Sequence, residues 1–156
     1  MTISTTQTYP APAAALWPLL FGSRMDRRHP CRLLCGLPKP VECRLAEAEG
    51  GVGKTRECVS DKGVIRQEIT AWVPNELLAF ELKETNLYFG PCVNSIRERF
   101  ELKALPGGGT SITRTTDFRI RRPFRLLLAL PMAIGLKNIH WYVFRNWKQL
   151  SEEARA

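Results

Sequence analysis

Apolar and polar residues change places every second position through much of this chain, and then, near its end, every third or fourth. Val41, Cys43 and Leu45 alternate with Glu42, Arg44 and Ala46, which predicts a half-buried strand ending at Gly50-Gly51. Lys54 to Ser60 predicts another strand, turned by Asp61-Lys62-Gly63. Val64 to Val73 predicts a third, stopped by Pro74-Asn75, and Leu77 to Lys83 a fourth. Ser95 to Leu105 and Thr110 to Arg121 flank Pro106-Gly107-Gly108-Gly109 and form the clearest hairpin of the sequence. Ahead of these, Thr2 to Tyr9 reads as a first strand. Ala13 to Leu20 reads as a short helix disturbed by Pro18, and residues 22 to 40 as a loop with one more helical turn.

The period changes after Pro131, with Pro123 to Pro131 read as a connector. Leu136, Ile139, His140, Val143, Trp147 and Leu150 recur at helical spacing on one face, while Lys137, Arg145, Lys148 and Gln149 fall elsewhere. Strand, short helices, several antiparallel strands and one long helix make an α+β order, because parallel units would need a helix after nearly every strand. One apolar helix against one curved sheet leaves a space suited to a small apolar molecule. At 156 residues the chain fits a single domain, 1–156, with no internal repeat or low-complexity tract.

The same alternation nominates polar residues facing inward. In the hairpin, Glu98 shares a face with Ile96, Phe100, Leu102 and Ala104, and Arg114 shares one with Ile112, Thr116, Phe118 and Ile120. The short turn sets Glu98 opposite or diagonal to Arg114. Burying either charge alone is costly, so they pair with each other as a structural salt bridge or serve a ligand, with Arg114 holding a carboxylate, carbonyl or enolate oxygen. Gln67 sits among Ile65, Ile69, Ala71 and Val73, and His140 enters the same interior from the helix, either as a core histidine or as a proton carrier. Candidate catalytic residues are therefore His140, Glu98 and Arg114. Candidate cavity residues are Gln67, Glu98, Phe100, Arg114, Phe118, Leu136, His140, Val143 and Trp147. Trp72, on a face with Arg66 and Glu68, is expected on the outer side of the sheet.

Composition narrows the partners. A net charge of +8 fits nucleic acid, an anionic surface or an acidic ligand, but the basic residues are scattered without the tract or interleaved aromatics of a nucleic-acid module, so no nucleic-acid partner is expected. The five cysteines match neither a disulfide scaffold nor a zinc ribbon, and His29-Pro30-Cys31 with Cys35 lacks a second ligand pair, so reduced thiols in a cytoplasmic protein and no metal are expected. No secretory signal is read in the apolar stretch from Ala11 to Phe21, which contains Pro12 and Pro18 and has no basic region before it.

Gly50 to Thr55 imitates a phosphate-binding loop, but the required earlier glycine is Ala48, and a strand is expected where that motif needs a helix. No cofactor is expected. Arg119, Arg121, Arg122 and Arg125 precede Leu126-Leu127-Leu128-Ala129-Leu130. That segment, 119–136, either packs over the cavity mouth or makes a weak contact with an anionic membrane surface.

Several segments together resemble the START/polyketide-cyclase superfamily, also called SRPBCC. The stretch Tyr9-Pro10-Ala11-Pro12-Ala13-Ala14-Ala15-Leu16-Trp17-Pro18-Leu19-Leu20 is similar to its opening strand and helix. The glycines Gly51 and Gly53 before a strand, then Ile69-Thr70-Ala71-Trp72-Val73-Pro74-Asn75-Glu76-Leu77-Leu78, are similar to its middle strands. Gly109-Thr110-Ser111-Ile112-Thr113-Arg114 and the terminal aromatic helix complete the likeness. The resemblance implies a helix-grip fold, a curved antiparallel sheet wrapped around a long C-terminal helix with a hydrophobic cavity between them. It implies binding of a lipid- or polyketide-like molecule, with a cyclase or dehydratase and a membrane-surface lipid carrier as alternatives. It carries no common catalytic motif onto this chain.

Overall fold

The computed structural model describes residues 1–25 and 37–153. Eight strands form one sheet: β1 (Thr2–Tyr9), β2 (Ser23–Arg24), β3 (Pro40–Leu45), β4 (Thr55–Ser60), β5 (Gly63–Val73), β6 (Leu77–Thr85), β7 (Val93–Ala104) and β8 (Thr110–Ile120). Their order is β1-β8-β7-β6-β5-β4-β3-β2, every neighbouring pair antiparallel. The sheet curls into a half-barrel around the helix α2 (Arg125–Glu153). A short helix, α1 (Ala13–Leu16), follows β1 and runs on as a 3-10 turn over Trp17–Leu20. Pro18 supplies no N–H and disfavours continuing the α-helix, and a tighter 3-10 turn takes over.

The core lies between the concave face of the sheet and α2. Leu16, Leu20, Ile69, Leu78, Phe80, Phe100, Ile112, Phe144 and Trp147 are among its buried residues. A second cluster, Val93, Ile96, Phe118, Ile120 and Ala133, closes the end nearer the start of α2. Two polar anchors hold the helix in place. Tyr9 donates its hydroxyl to the Phe144 carbonyl (3.1 Å), and the Trp147 indole donates to Ser23 Oγ (3.2 Å).

The structure departs from the pattern of the sequence at four places. First, α2 begins at Arg125, so Pro131 lies inside the helix rather than ahead of it. Its missing N–H leaves the carbonyl four residues back without a helical donor. Second, the register of β5 on β6 shifts between Ile69 and Ala71. The extra residue reverses the alternation: Trp72 turns into the core edge against Trp17 and Phe21, at ring-centroid distances of 5.2 and 5.0 Å, while Val73 is exposed. Trp72 is therefore not on the outer side.

Third, Cys43 and Cys58 stand opposite each other in the β3–β4 register and are joined by a disulfide. The expectation of reduced thiols fails for these two, and with it the support it lent to a cytoplasmic location. Fourth, the two-residue strand β2 pairs with β3 through Ser23 and Arg24, too short to leave an alternating pattern. The His29, Cys31 and Cys35 group lies outside the described residues, as do residues 26–36 of the 22–40 stretch in which one more helical turn is expected.

Candidate functional site

The curl of the sheet and the facing side of α2 bound a cavity of about 400 Å³. Its wall is mainly apolar: Ile65, Leu82, Ile96, Phe100, Leu136, Ile139, Val143 and Trp147 all face it. Leu128, Pro131, Met132 and Gly135 bring the first half of α2 to the same cavity, which Leu87, Tyr88 and Phe89 also line. Tyr88 is largely exposed and stands at the rim.

Four charged or amide side chains on the sheet, along with Ser60 of β4, interrupt this wall. Arg114 of β8 is paired with Phe100 of β7 in the register, which leaves Glu98 on the diagonal. The reach is sufficient: Arg114 donates from Nε to Glu98 Oε2 (2.8 Å), its Nη2 stands 2.5 Å from the same oxygen in the ion pair, and both side chains are buried. The Arg114 guanidinium also lies 5.3 Å from the Phe100 ring centre. The other two residues come from β4 and β5, where Arg56 and Gln67 are register partners.

Arg56, only 6% exposed, donates from Nη1 to Gln67 Oε1 (2.5 Å) and from Nη2 to the Leu20 carbonyl (3.0 Å), with its guanidinium 4.5 Å from the Phe80 ring centre. Its Nε is the one buried side-chain donor without a hydrogen-bond partner among the described residues. Burial pulls the Arg56 guanidinium down to about 10, Glu98 opposing the shift and Arg114 reinforcing it, so it remains a cation at neutral pH.

Of the sequence candidates, Gln67, Glu98, Phe100, Arg114, Leu136, Val143 and Trp147 line this cavity. His140 and Phe118 do not. Phe118 packs in the second core cluster. His140, with no exposed surface, is held between two hydroxyls, Thr5 Oγ1 at 3.0 Å from Nδ1 and Thr116 Oγ1 at 2.8 Å from Nε2. Burial first, then the positive charges of Arg114 and Lys137, pushes its pKa down to about 2. It is a neutral core histidine, bonded to threonine hydroxyls on β1 and β8, and it is poorly placed to exchange protons with anything in the cavity.

Arg56 was not among the sequence candidates. The strand around it, Thr55-Arg56-Glu57-Cys58, alternates polar with polar and so shows no inward face. The usable signal is Cys58 at two residues' distance on the same face, with Gln67 across the turn. At the imitation phosphate loop the strand expected in place of a helix is found. Lys54 is followed by strand β4, and its ammonium pairs with Glu47.

No family model and no curated protein matches the sequence. Solved structures match over nearly the whole chain. A START superfamily protein from Mycobacterium smegmatis is 11% identical with a TM-score of 0.67, covering 98% of both chains. Norcoclaurine synthase from Thalictrum flavum, a point mutant in complex with a transition-state analogue, is 14% identical with a TM-score of 0.64, over 100% of this chain and 96% of that one. Ara h 8.0201 is 16% identical with a TM-score of 0.55, over 94% and 99%. The chain thus has the helix-grip fold of the START and Bet v 1 class.

Proposed function

We propose that this protein binds a small, largely apolar molecule in the cavity between the sheet and α2. The observation that carries the reading is the cavity itself: about 400 Å³, walled by apolar side chains from seven elements and interrupted by only a few convergent polar groups. Cavities of this size and lining bury most of a small ligand, with apolar contact supplying affinity and the polar groups setting orientation. A cyclase or dehydratase in the same cavity draws support from a fold that also serves norcoclaurine synthase. It is disfavoured by the position of His140, whose ring is enclosed by Thr5 and Thr116 away from the cavity wall.

A direct test uses the neutral fluorescent probe N-phenyl-1-naphthylamine. The folded protein should bind it with saturable emission enhancement. Ile139→Trp, which fills the wall from α2, should abolish that signal while leaving the far-ultraviolet circular dichroism unchanged. Equal binding by the wild type and the filled variant would place the probe elsewhere and remove the basis of the proposal.

A second reading adds a membrane surface, on a separate observation. Leu126, Leu127, Leu130 and Ile134 lie exposed at helical spacing along the first half of α2, Leu126 completely so. Arg119, Arg121, Arg122 and Arg125 are exposed beside them. By length and composition α2 is apolar enough to cross a bilayer, but Tyr142, Val143, Phe144 and Trp147 of its second half are buried in the core. A helix so divided suits docking on an anionic bilayer surface, leucines in the interface and arginines at the headgroups. Sedimentation with phosphatidylcholine vesicles containing phosphatidylserine should carry the protein down. Reversing charge at Arg121, Arg122 and Arg125 should weaken this at least about tenfold. Unchanged sedimentation of the reversed variant would exclude the reading.

A further inference from the structure

The charges facing the cavity do not balance. Among the described residues that line it, the charged ones are Arg56, Glu98 and Arg114. Arg114 and Glu98 neutralise each other through a hydrogen-bonded ion pair onto one oxygen. Arg56 has no carboxylate of its own: its guanidinium meets an amide oxygen, a backbone carbonyl and an aromatic face, all of them neutral, and its Nε meets no acceptor. Glu98, whose charge also acts on Arg56, is already bonded to Arg114, so two buried guanidiniums share one carboxylate; that excess positive charge is costly, and the cost falls when an anion joins it.

The neighbouring amide is suited to the same purpose. Gln67 uses Oε1 to accept from Arg56, which orients its Nε2–H donors away from that contact, and Gln67 also lines the cavity. Arg56 and Gln67 thus present a cation and amide donors side by side at the polar end of an apolar chamber.

We infer that the ligand is an amphipathic monoanion, its carboxylate or similar single-charged head seated against Arg56 and Gln67 and its apolar body along the wall formed with α2. This rests on the cavity-binding reading and goes past it in naming the charge of the ligand and the arginine that reads it. Arg114, which the sequence nominated for that task, is already occupied by Glu98 and serves to position the cluster.

The experiment is calorimetric titration of the full chain with dodecanoate and, separately, with dodecan-1-ol, which has the same tail and no charge. A charge-assisted hydrogen bond in a low-dielectric site predicts that dodecanoate binds at least about tenfold more tightly. Arg56→Met should bring the acid-to-alcohol affinity ratio to near one, the acid losing affinity relative to the alcohol, because methionine keeps an apolar stem but lacks the guanidinium and its hydrogen bonds to Gln67 and the Leu20 carbonyl. Arg56→Lys keeps the charge and should keep most of the preference, so a folding failure of the methionine variant leaves a second comparison standing.

Equal affinities for acid and alcohol in the wild-type protein would overturn the anion assignment and leave the cavity reading intact. So would a preference for acid that survives Arg56→Met. If neither amphiphile binds but N-phenyl-1-naphthylamine does, the inference fails alone. If none of the three binds, both readings fall together.

Discussion

His140 shows how far a single residue's surroundings can change its chemistry. A histidine on the apolar face of a helix invites a proton-transfer role, since its ordinary pKa lies near neutrality. Here the ring nitrogens are each satisfied by a threonine, and burial together with Arg114 and Lys137 pushes the pKa from 6.5 to about 2. Such a shift has a thermodynamic consequence with a definite sign. On acidification the unfolded chain takes up the proton near 6.5 while the folded chain refuses it until near 2, so the unfolded state binds more protons throughout that interval. Stability attributable to His140 is therefore whole above that range and falls with pH inside it, at a slope approaching about 1.4 kcal/mol per pH unit. Urea unfolding at neutral pH and at pH near 5 should show this loss in the wild type. His140→Gln, which titrates nowhere in the interval, should show a flatter dependence even if it is less stable at neutrality. Parallel dependences in the two proteins would mean that His140 is not the residue responsible.

At the scale of elements, what the sequence disclosed and what it hid follow from one rule. Strands with one wet and one dry face announce themselves, and β5 to β8 were legible for that reason, as was the diagonal of Glu98 and Arg114 across the hairpin. A bulge breaks the rule without leaving a mark: the shift between Ile69 and Ala71 exchanges the faces of Trp72 and Val73, and nothing in Ile69-Thr70-Ala71 signals it. The strand β4 is polar on both faces because its inner face meets a cavity and a buried cluster rather than close-packed core, so Arg56 could not be singled out. Pro131 misled in the other direction, since it marks a helix end in most contexts and sits within α2 here.

The cysteines belong to the same scale. Cys43 and Cys58 lie 15 residues apart in sequence and pair across β3 and β4, with only the two-residue β2 beyond β3. Closing a loop of that length in the unfolded chain stabilises the native state by about 3 kcal/mol in the chain-entropy account. Dithiothreitol, or replacement of both cysteines by alanine, should lower stability by roughly that amount, and denatured protein kept from reductant should expose at least two fewer thiols than reduced protein. Equal thiol counts, or unfolding indifferent to reductant, would refute the cross-link.

The whole molecule is a sheet bent around a helix that it does not fully touch. The core closes where Phe144 and Trp147 of α2 meet Tyr9 and Phe100 of the sheet, and the cavity opens beside Trp147 and runs along α2 toward Leu128. Walls of this kind forgo contacts that a filled core would make, so an occupant restores dispersion and apolar burial to the folded state alone. Binding to the native state only raises stability by an amount set by ligand excess over its dissociation constant, about 2.7 kcal/mol at hundredfold excess. For a domain of this length each kcal/mol corresponds to roughly 2–4 °C in melting temperature. Saturating N-phenyl-1-naphthylamine should thus raise the melting temperature by about 5–10 °C, with the shift growing as the logarithm of probe concentration past saturation. The cavity-filling Ile139→Trp protein should show no such growth, because its wall is already occupied from within. A wild-type melting temperature that stays constant over that titration would mean that the probe does not distinguish folded from unfolded chain. The space between sheet and helix would then be a packing defect rather than a binding chamber.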